Sequence, residues 1–151
     1  MSGLSIFAGV LLFFSSSLVG LWIRKRLTHK ASFYEGYYRY LVFVKEKISY
    51  ERMPIFEINE AFRKSEKGEF CDFLFGKTTT ASLSDRESDE IRKYIDAIGT
   101  TDADTQIASL GGKCAELKRF EEESCVKYRK DGALYFKLAM LLGLVAFIII
   151  V

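Results

Sequence analysis

The chain has 151 residues, 22 of them Lys or Arg and 20 Asp or Glu, which leaves a net charge of +2; 49% are hydrophobic and one is a proline. That length suits a single domain, the near-balanced charge gives no electrostatic footprint for nucleic acid, and the apolar share excludes a disordered chain. Three cysteines are too few for a disulfide scaffold. Charge is concentrated in the middle, and both ends are apolar.

Residues 1–23 carry no charged side chain. A helix of that length is about 34 Å long, enough for a hydrocarbon layer of about 30 Å. Ser15, Ser16 and Ser17 weaken the stretch, although serine hydroxyls can bond back to the helix. Trp22 suits the headgroup layer. Arg24, Lys25 and Arg26 follow the apolar run, whereas a cleaved signal peptide carries its positive charges before it. An uncleaved membrane helix is therefore expected over residues 1–23.

Over residues 27–50 the apolar positions Tyr34, Tyr38, Leu41 and Ile48 overlap a second row, Tyr37, Leu41, Val44 and Ile48. Spacings of three, four and seven mark one face of a helix. Phe33, Tyr34, Tyr37, Tyr38 and Tyr40 together cover more than one core stripe. Part of that row is expected to meet other helices, the membrane surface or a partner, and Tyr37 and Tyr40 are candidate partner-binding residues. Pro54 suits the first turn of a second helix, with Ile55, Ile58 and Phe62 as its stripe and Gly68 as its end. Residues 69–75, with Phe70, Phe73 and Leu74, predict a short third helix, and residues 76–82 a loop. Ser84 and Glu87 have the capping-box spacing, followed at helical intervals by Ile91, Tyr94, Ile95 and Ile98, with Gly99 as the stop.

After Asp102 the residues Ile107, Leu110, Cys114, Leu117, Phe120 or Glu121, Ser124 and Tyr128 step by three and four, like a coiled-coil seam. Gly111, Gly112 and Gly132 are the weak points, each costing about 1 kcal/mol against alanine. One long helix is expected to run through them into the terminal apolar run, with any bend at Gly132. Residues 133–151 carry one charge, Lys137, whose stem can lie along apolar surface while its ammonium stays in the headgroups. Residues 141–151 are apolar on every face, which calls for lipid or a large core. No stretch alternates with period two between turns, and no internal repeat is present. The expected fold class is all-α: a helical bundle over residues 24–132, flanked by transmembrane helices at 1–23 and 133–151, the last helix long and continuous with its membrane segment. Cationic residues flank both apolar runs on the inner side (Arg24, Lys25, Arg26 and Lys30; Lys127, Arg129, Lys130 and Lys137), which places the middle in the cytoplasm and both termini across the membrane.

Chemistry is sparse. Gly76-Lys77-Thr78 looks like the end of a phosphate-binding loop, but that motif needs a glycine where Cys71 stands and a preceding strand. His29 lacks neighbours at metal-ligand or triad spacing. Cys114 and Cys125 fall near one helix face but roughly 16 Å apart along it, too far to bridge. No catalytic residue, metal ligand or cofactor is expected, nor a small-molecule substrate. Glu121, Glu122 and Glu123, followed by Lys127, Arg129 and Lys130, form an acidic and then a basic cluster, with Glu123 and Lys127 as an i,i+4 pair. The three glutamates are the remaining candidates for partner binding, against the simpler alternative of a solvated helix face.

The order of several elements resembles a known family. Ile48-Ser49-Tyr50 closes the first helix and Pro54-Ile55 follows. Ile98-Gly99-Thr100-Thr101-Asp102 precedes Gln106, Leu110, Leu117 and the glutamates, and the chain then runs through the basic cluster and Gly132 into the apolar end. This pattern is similar to the stage III sporulation protein AB family, with a departure over residues 64–88, where the chain is shorter. That family in turn is similar to the platform domain of the type II secretion F protein. The resemblance implies a non-enzymatic platform or scaffold of the stage III sporulation channel complex, in the mother-cell membrane facing the forespore. Its implied partners are membrane lipid, the secretion-type ATPase stage III sporulation protein AA, and other stage III sporulation membrane proteins. The alternative is an inner-membrane platform of a secretion or pilus machine outside sporulation.

Overall fold

The computed structural model describes residues 3–76 and 82–150. These described residues form six α-helices in chain order: α1 Gly3–Glu51, α2 Ile55–Ser65, α3 Glu69–Leu74, α4 Asp85–Ala97, α5 Ala103–Phe120 and α6 Val126–Ile150, with a π-helical turn at Glu121–Cys125 between the last two. Among the described residues no strand occurs. The all-α expectation holds, with its two long apolar helices and its long, continuous last helix. Lys77 and Thr78 of the Gly-Lys-Thr sequence lie outside the described residues.

The chain divides into two compact units. One holds Met1–His29 and Val126–Val151, the other Lys30–Cys125. Leu4–Glu51 and Ala103–Ile150 each contain a stretch long and apolar enough to cross a membrane. Within the first unit large apolar side chains are left open to the surroundings, among them Phe7, Phe14, Leu18, Leu142 and Ile149. Water would penalise such a surface, whereas lipid would not.

Small residues let the two apolar helices of this unit approach closely. A Cβ added at Gly20 would stand 2.7 Å from the Ala139 Cβ, and one at Gly143 would stand 3.3 Å from the Phe13 Cα. The serines answer their expectation in part: Ser15 and Ser17 donate to the Leu11 and Phe13 carbonyls one turn back, at 2.8 and 2.9 Å. Ser16 instead donates across to the Ala139 carbonyl, an interhelical bond of the kind that supplements packing in a lipid setting. Gly132, expected as a bend, lies inside α6. A Cβ there would come within 3.3 Å of the Arg24 Cα, so the missing side chain serves contact with α1. The irregularity in the long helix falls instead at the π turn.

The second unit has its own core. Phe33, Tyr37, Tyr40, Leu41, Val44 and Ile48 from α1 are buried against Ile58 and Phe62 of α2, Phe70 and Phe73 of α3, Ile91 of α4, and Leu110, Cys114 and Leu117 of α5. Phe70 is the hub: its ring centroid lies 5.3–5.4 Å from those of Phe33, Tyr37 and Tyr40. A Cβ at Gly36 would come within 2.8 Å of the Phe70 Cβ, so the bare backbone there lets α3 close on α1. Edge-to-face and offset rings of this kind add stabilisation beyond the area they bury.

The helix ends follow local chemistry with two adjustments. Pro54 is the N-cap of α2, its carbonyl accepting from the Glu57 and Ile58 amides at 3.0 and 3.2 Å, one position before the site the sequence suggested. Gly68 does not end α2, which stops at Ser65; it is the N-cap of α3. The capping box at α4 forms as expected, with the Glu87 amide donating to Ser84 Oγ at 3.3 Å and the Ser84 amide donating to Glu87 Oε2 at 2.9 Å. Gly99, at φ +94°, takes the left-handed backbone that ends α4 at no side-chain cost.

Candidate functional site

Among the described residues no group of histidines, cysteines and carboxylates is placed to hold a metal ion. Cys114 and Cys125 are buried thiols and Cys71 is half-buried, all three unbridged. Burial raises the Cys114 thiol pKa, with Lys45 opposing the rise. That is the setting of a small apolar packing residue, since reactivity requires the thiolate.

The Lys30–Cys125 unit carries a groove of about 480 Å³ lined by side chains of α1, α4, α5 and the π turn. Its walls are aromatic. Tyr34 and Phe120 lie 4.6 Å apart between ring centroids, and Tyr94 stands on α4 with the Lys113 ammonium 5.8 Å from its ring. Its edges are charged, with Glu87, Glu90, Glu116 and Glu123 against Lys113 and Arg119. Tyr37 also lines it and is 1% exposed.

One corner is built around Glu87. Its carboxylate accepts from Lys30 Nζ at 2.8 and 3.1 Å, from Tyr34 Oη at 3.2 Å and from Ser84 Oγ at 3.0 Å. Partial burial alone would raise its pKa. The bonds from Lys30 and Ser84, together with the Lys30 charge, outweigh that and hold it at about 2. Glu87 thus joins the start of α4 to α1. The sequence reading missed this contact and treated Lys30 only as a flanking cation; a partner 57 residues away leaves no local spacing to read. Lower on the same wall, Lys113 reaches Glu116 at 2.9 Å and Arg119 reaches Glu123 at 3.2 Å. Glu123 was expected to pair forward with Lys127. The structure pairs it backward with Arg119 of α5.

The five residues singled out for partner binding divide. Tyr40 is fully buried, and its hydroxyl donates to Asn59 Oδ1 at 2.8 Å. Tyr37 is buried too and lines the groove, but its hydroxyl has no hydrogen-bond partner among the described residues. Burial raises the pKa of both phenols, and at Tyr37 the nearby Tyr94 and Glu116 raise it further, so both hydroxyls stay protonated, that of Tyr37 near the Glu116 carboxylate. Glu121 is half-buried and Glu122 exposed; neither lines the groove, whereas Glu123 does. The structure therefore brings Tyr37 and Glu123 into one concave feature and leaves Tyr40 in the core. Tyr34, Glu87, Tyr94, Glu116 and Phe120 join them: Tyr34 from the aromatic row, Glu87 from the capping box, Tyr94 and Phe120 from helical stripes, and Glu116 from a position with no expectation attached.

Comparison with curated proteins finds no match, and comparison with solved structures finds none either. The family model described as stage III sporulation protein AB matches residues 74–151, a span that takes in α4, α5, the π turn and α6. It covers just over half of the chain and thus the wall of the groove from Glu87 to Ser124, and on that match the chain belongs to the stage III sporulation protein AB family.

Proposed function

We propose that this chain is a membrane-anchored, non-enzymatic platform of the stage III sporulation channel complex, holding its helical unit on the cytoplasmic side of the mother-cell membrane that faces the forespore. Family membership carries this reading and supports a role in sporulation rather than in a secretion or pilus machine elsewhere. Two stretches long and apolar enough to cross a membrane, one in each half of the chain, support the anchoring. The cationic residues beside each stretch support a cytoplasmic placement of the unit between them.

The partner most consistent with such a platform is the secretion-type ATPase, stage III sporulation protein AA, together with other membrane proteins of the same assembly. That choice goes with the resemblance to a type II secretion F platform, which is part of the same proposal. A platform of this kind acts through surfaces, and the groove beside the π turn, with the acidic residues Glu121, Glu122 and Glu123 next to it, is the surface we assign to docking. Deletion of the gene in its spore-forming host tests the reading. The expected result is loss of heat-resistant spores, restored by the intact gene in trans; a normal spore count would overturn it.

A further inference from the structure

We propose that the groove beside the π turn receives a basic segment of a partner protein, with one arginine side chain entering between the Tyr34–Phe120 pair and Tyr94 to meet the Tyr37 hydroxyl. The inference deepens the docking reading above and rests on it for the identity of the partner's assembly, while the chemistry of the occupant is read from the groove itself.

Three observations converge. The first is Tyr37: the residue lines the groove, and its buried hydroxyl lacks a hydrogen-bond partner among the described residues. Buried polar groups in folded proteins are nearly always paired, and an unpaired one is a candidate for completion by a ligand. The Glu116 carboxylate places negative potential near this hydroxyl, so the incoming group that suits it is a cationic donor bonding to its oxygen.

The second is the charge of the lining, with four glutamates against two cations. Glu90, Glu116 and Glu123 are each about two-thirds exposed, and their ion pairs with Arg86, Lys113 and Arg119 are surface pairs. Such pairs contribute little and are readily exchanged, which leaves those carboxylates available to a partner's cation. Third, the groove already holds a cation in this manner. The Lys113 ammonium lies over the Tyr94 ring at 5.8 Å while bonding to Glu116 at 2.9 Å. Aromatic faces beside carboxylates attract cations, guanidinium more than ammonium because its plane can stack on the ring. The π turn contributes by placing Glu123 and Ser124 on the groove; single π turns inside α-helices recur at functional sites.

The test uses the full-length protein in a nonionic detergent and a fluorescein-labelled nonapeptide of alternating arginine and glycine, read by fluorescence anisotropy. The same peptide with citrulline in place of arginine keeps the shape but loses the charge, a urea oxygen replacing one guanidinium nitrogen and its N–H donors. The expected result is binding of the arginine peptide and about tenfold weaker binding of the citrulline peptide. Tyr37→Phe should weaken arginine-peptide binding by about tenfold without lowering the melting temperature, because the hydroxyl it removes is buried and makes no bond among the described residues. Glu116→Gln, at an exposed position, gives a second reading independent of the core and should also weaken binding. Glu57→Gln, at an exposed position on α2 away from the groove, should leave it unchanged. The proposal is overturned if the arginine peptide does not bind, if both peptides bind alike, if Tyr37→Phe leaves binding unchanged, or if Glu57→Gln weakens binding as much as Glu116→Gln. Any of these results with spore formation still dependent on the gene would remove the groove's occupant and leave the platform reading standing.

Discussion

Glu87 shows how much a single side chain can do in a chain with little local chemistry. It closes the capping box with Ser84, accepts from Tyr34 and forms an ion pair with Lys30. Its pKa is lowered in the folded state to about 2 from an ordinary 4.5. The unfolded chain therefore binds the proton more readily, and the stability Glu87 supplies is fully present above about pH 4.5 and disappears as the pH falls toward 2. Glu87→Gln can still cap the helix but carries no charge. Chemical denaturation of the full-length protein in detergent should show wild type more stable than this variant at pH 6, by about 1–2 kcal/mol after screening of a partly exposed pair. The gap should close near pH 2; a gap of the same size at both pH values would contradict the assignment. The capping box was legible in the sequence because its two members sit three residues apart. The Lys30 contact was not, because nothing local links α1 to α4. Tyr37 and Tyr40 teach the same lesson. Both belong to a helical aromatic row, but only the packing of α2 and α3 decides that Tyr40 meets Asn59 while Tyr37 is left unpaired beside the groove.

At the scale of elements, glycines of identical helical context do different work. Gly20 and Gly143 mark the contact between the apolar helices, where a side chain has no room, whereas an added Cβ at Gly112 in α5 meets nothing within 4 Å. Gly112→Ala should therefore raise the stability of the full-length protein by about 1 kcal/mol, the helix-propensity difference alone. Gly20→Leu should lower the melting temperature in detergent by forcing the helices apart. Equal behaviour of the two variants would mean that the Gly20 contact does not hold the unit together. The helices themselves were readable from periodicity, since α2, α4 and α5 keep their apolar residues at spacings of three and four. What periodicity did not reveal is the π turn. Glu121–Cys125 contains neither glycine nor proline, and the seam residues Leu117 and Ser124 keep a spacing that an uninterrupted α-helix also allows. Gly132 attracted the expectation of a bend because a glycine in a long helix looks like a weak point; its neighbour Arg24 belongs to a segment more than a hundred residues earlier.

For the whole molecule, the apolar character of both ends and the charged middle were legible from composition, and the structure adds that the two ends form one unit and the middle another. Identity came from the order of weak signals along the chain and from the family match over residues 74–151, not from any catalytic motif. The account stands on the claim that the apolar helices span a membrane and leave the Lys30–Cys125 unit in the cytoplasm. That claim is tested most directly by single-cysteine labelling in a background of Cys71→Ser, Cys114→Ala and Cys125→Ala. Lys93→Cys, at an exposed position on α4, and Ser2→Cys are each treated with a membrane-impermeant maleimide in protoplasts and in inverted vesicles. The account predicts that Lys93→Cys labels in inverted vesicles alone and Ser2→Cys in protoplasts alone. Labelling of Lys93→Cys in intact protoplasts, or release of the protein from membranes by alkaline carbonate, would contradict it.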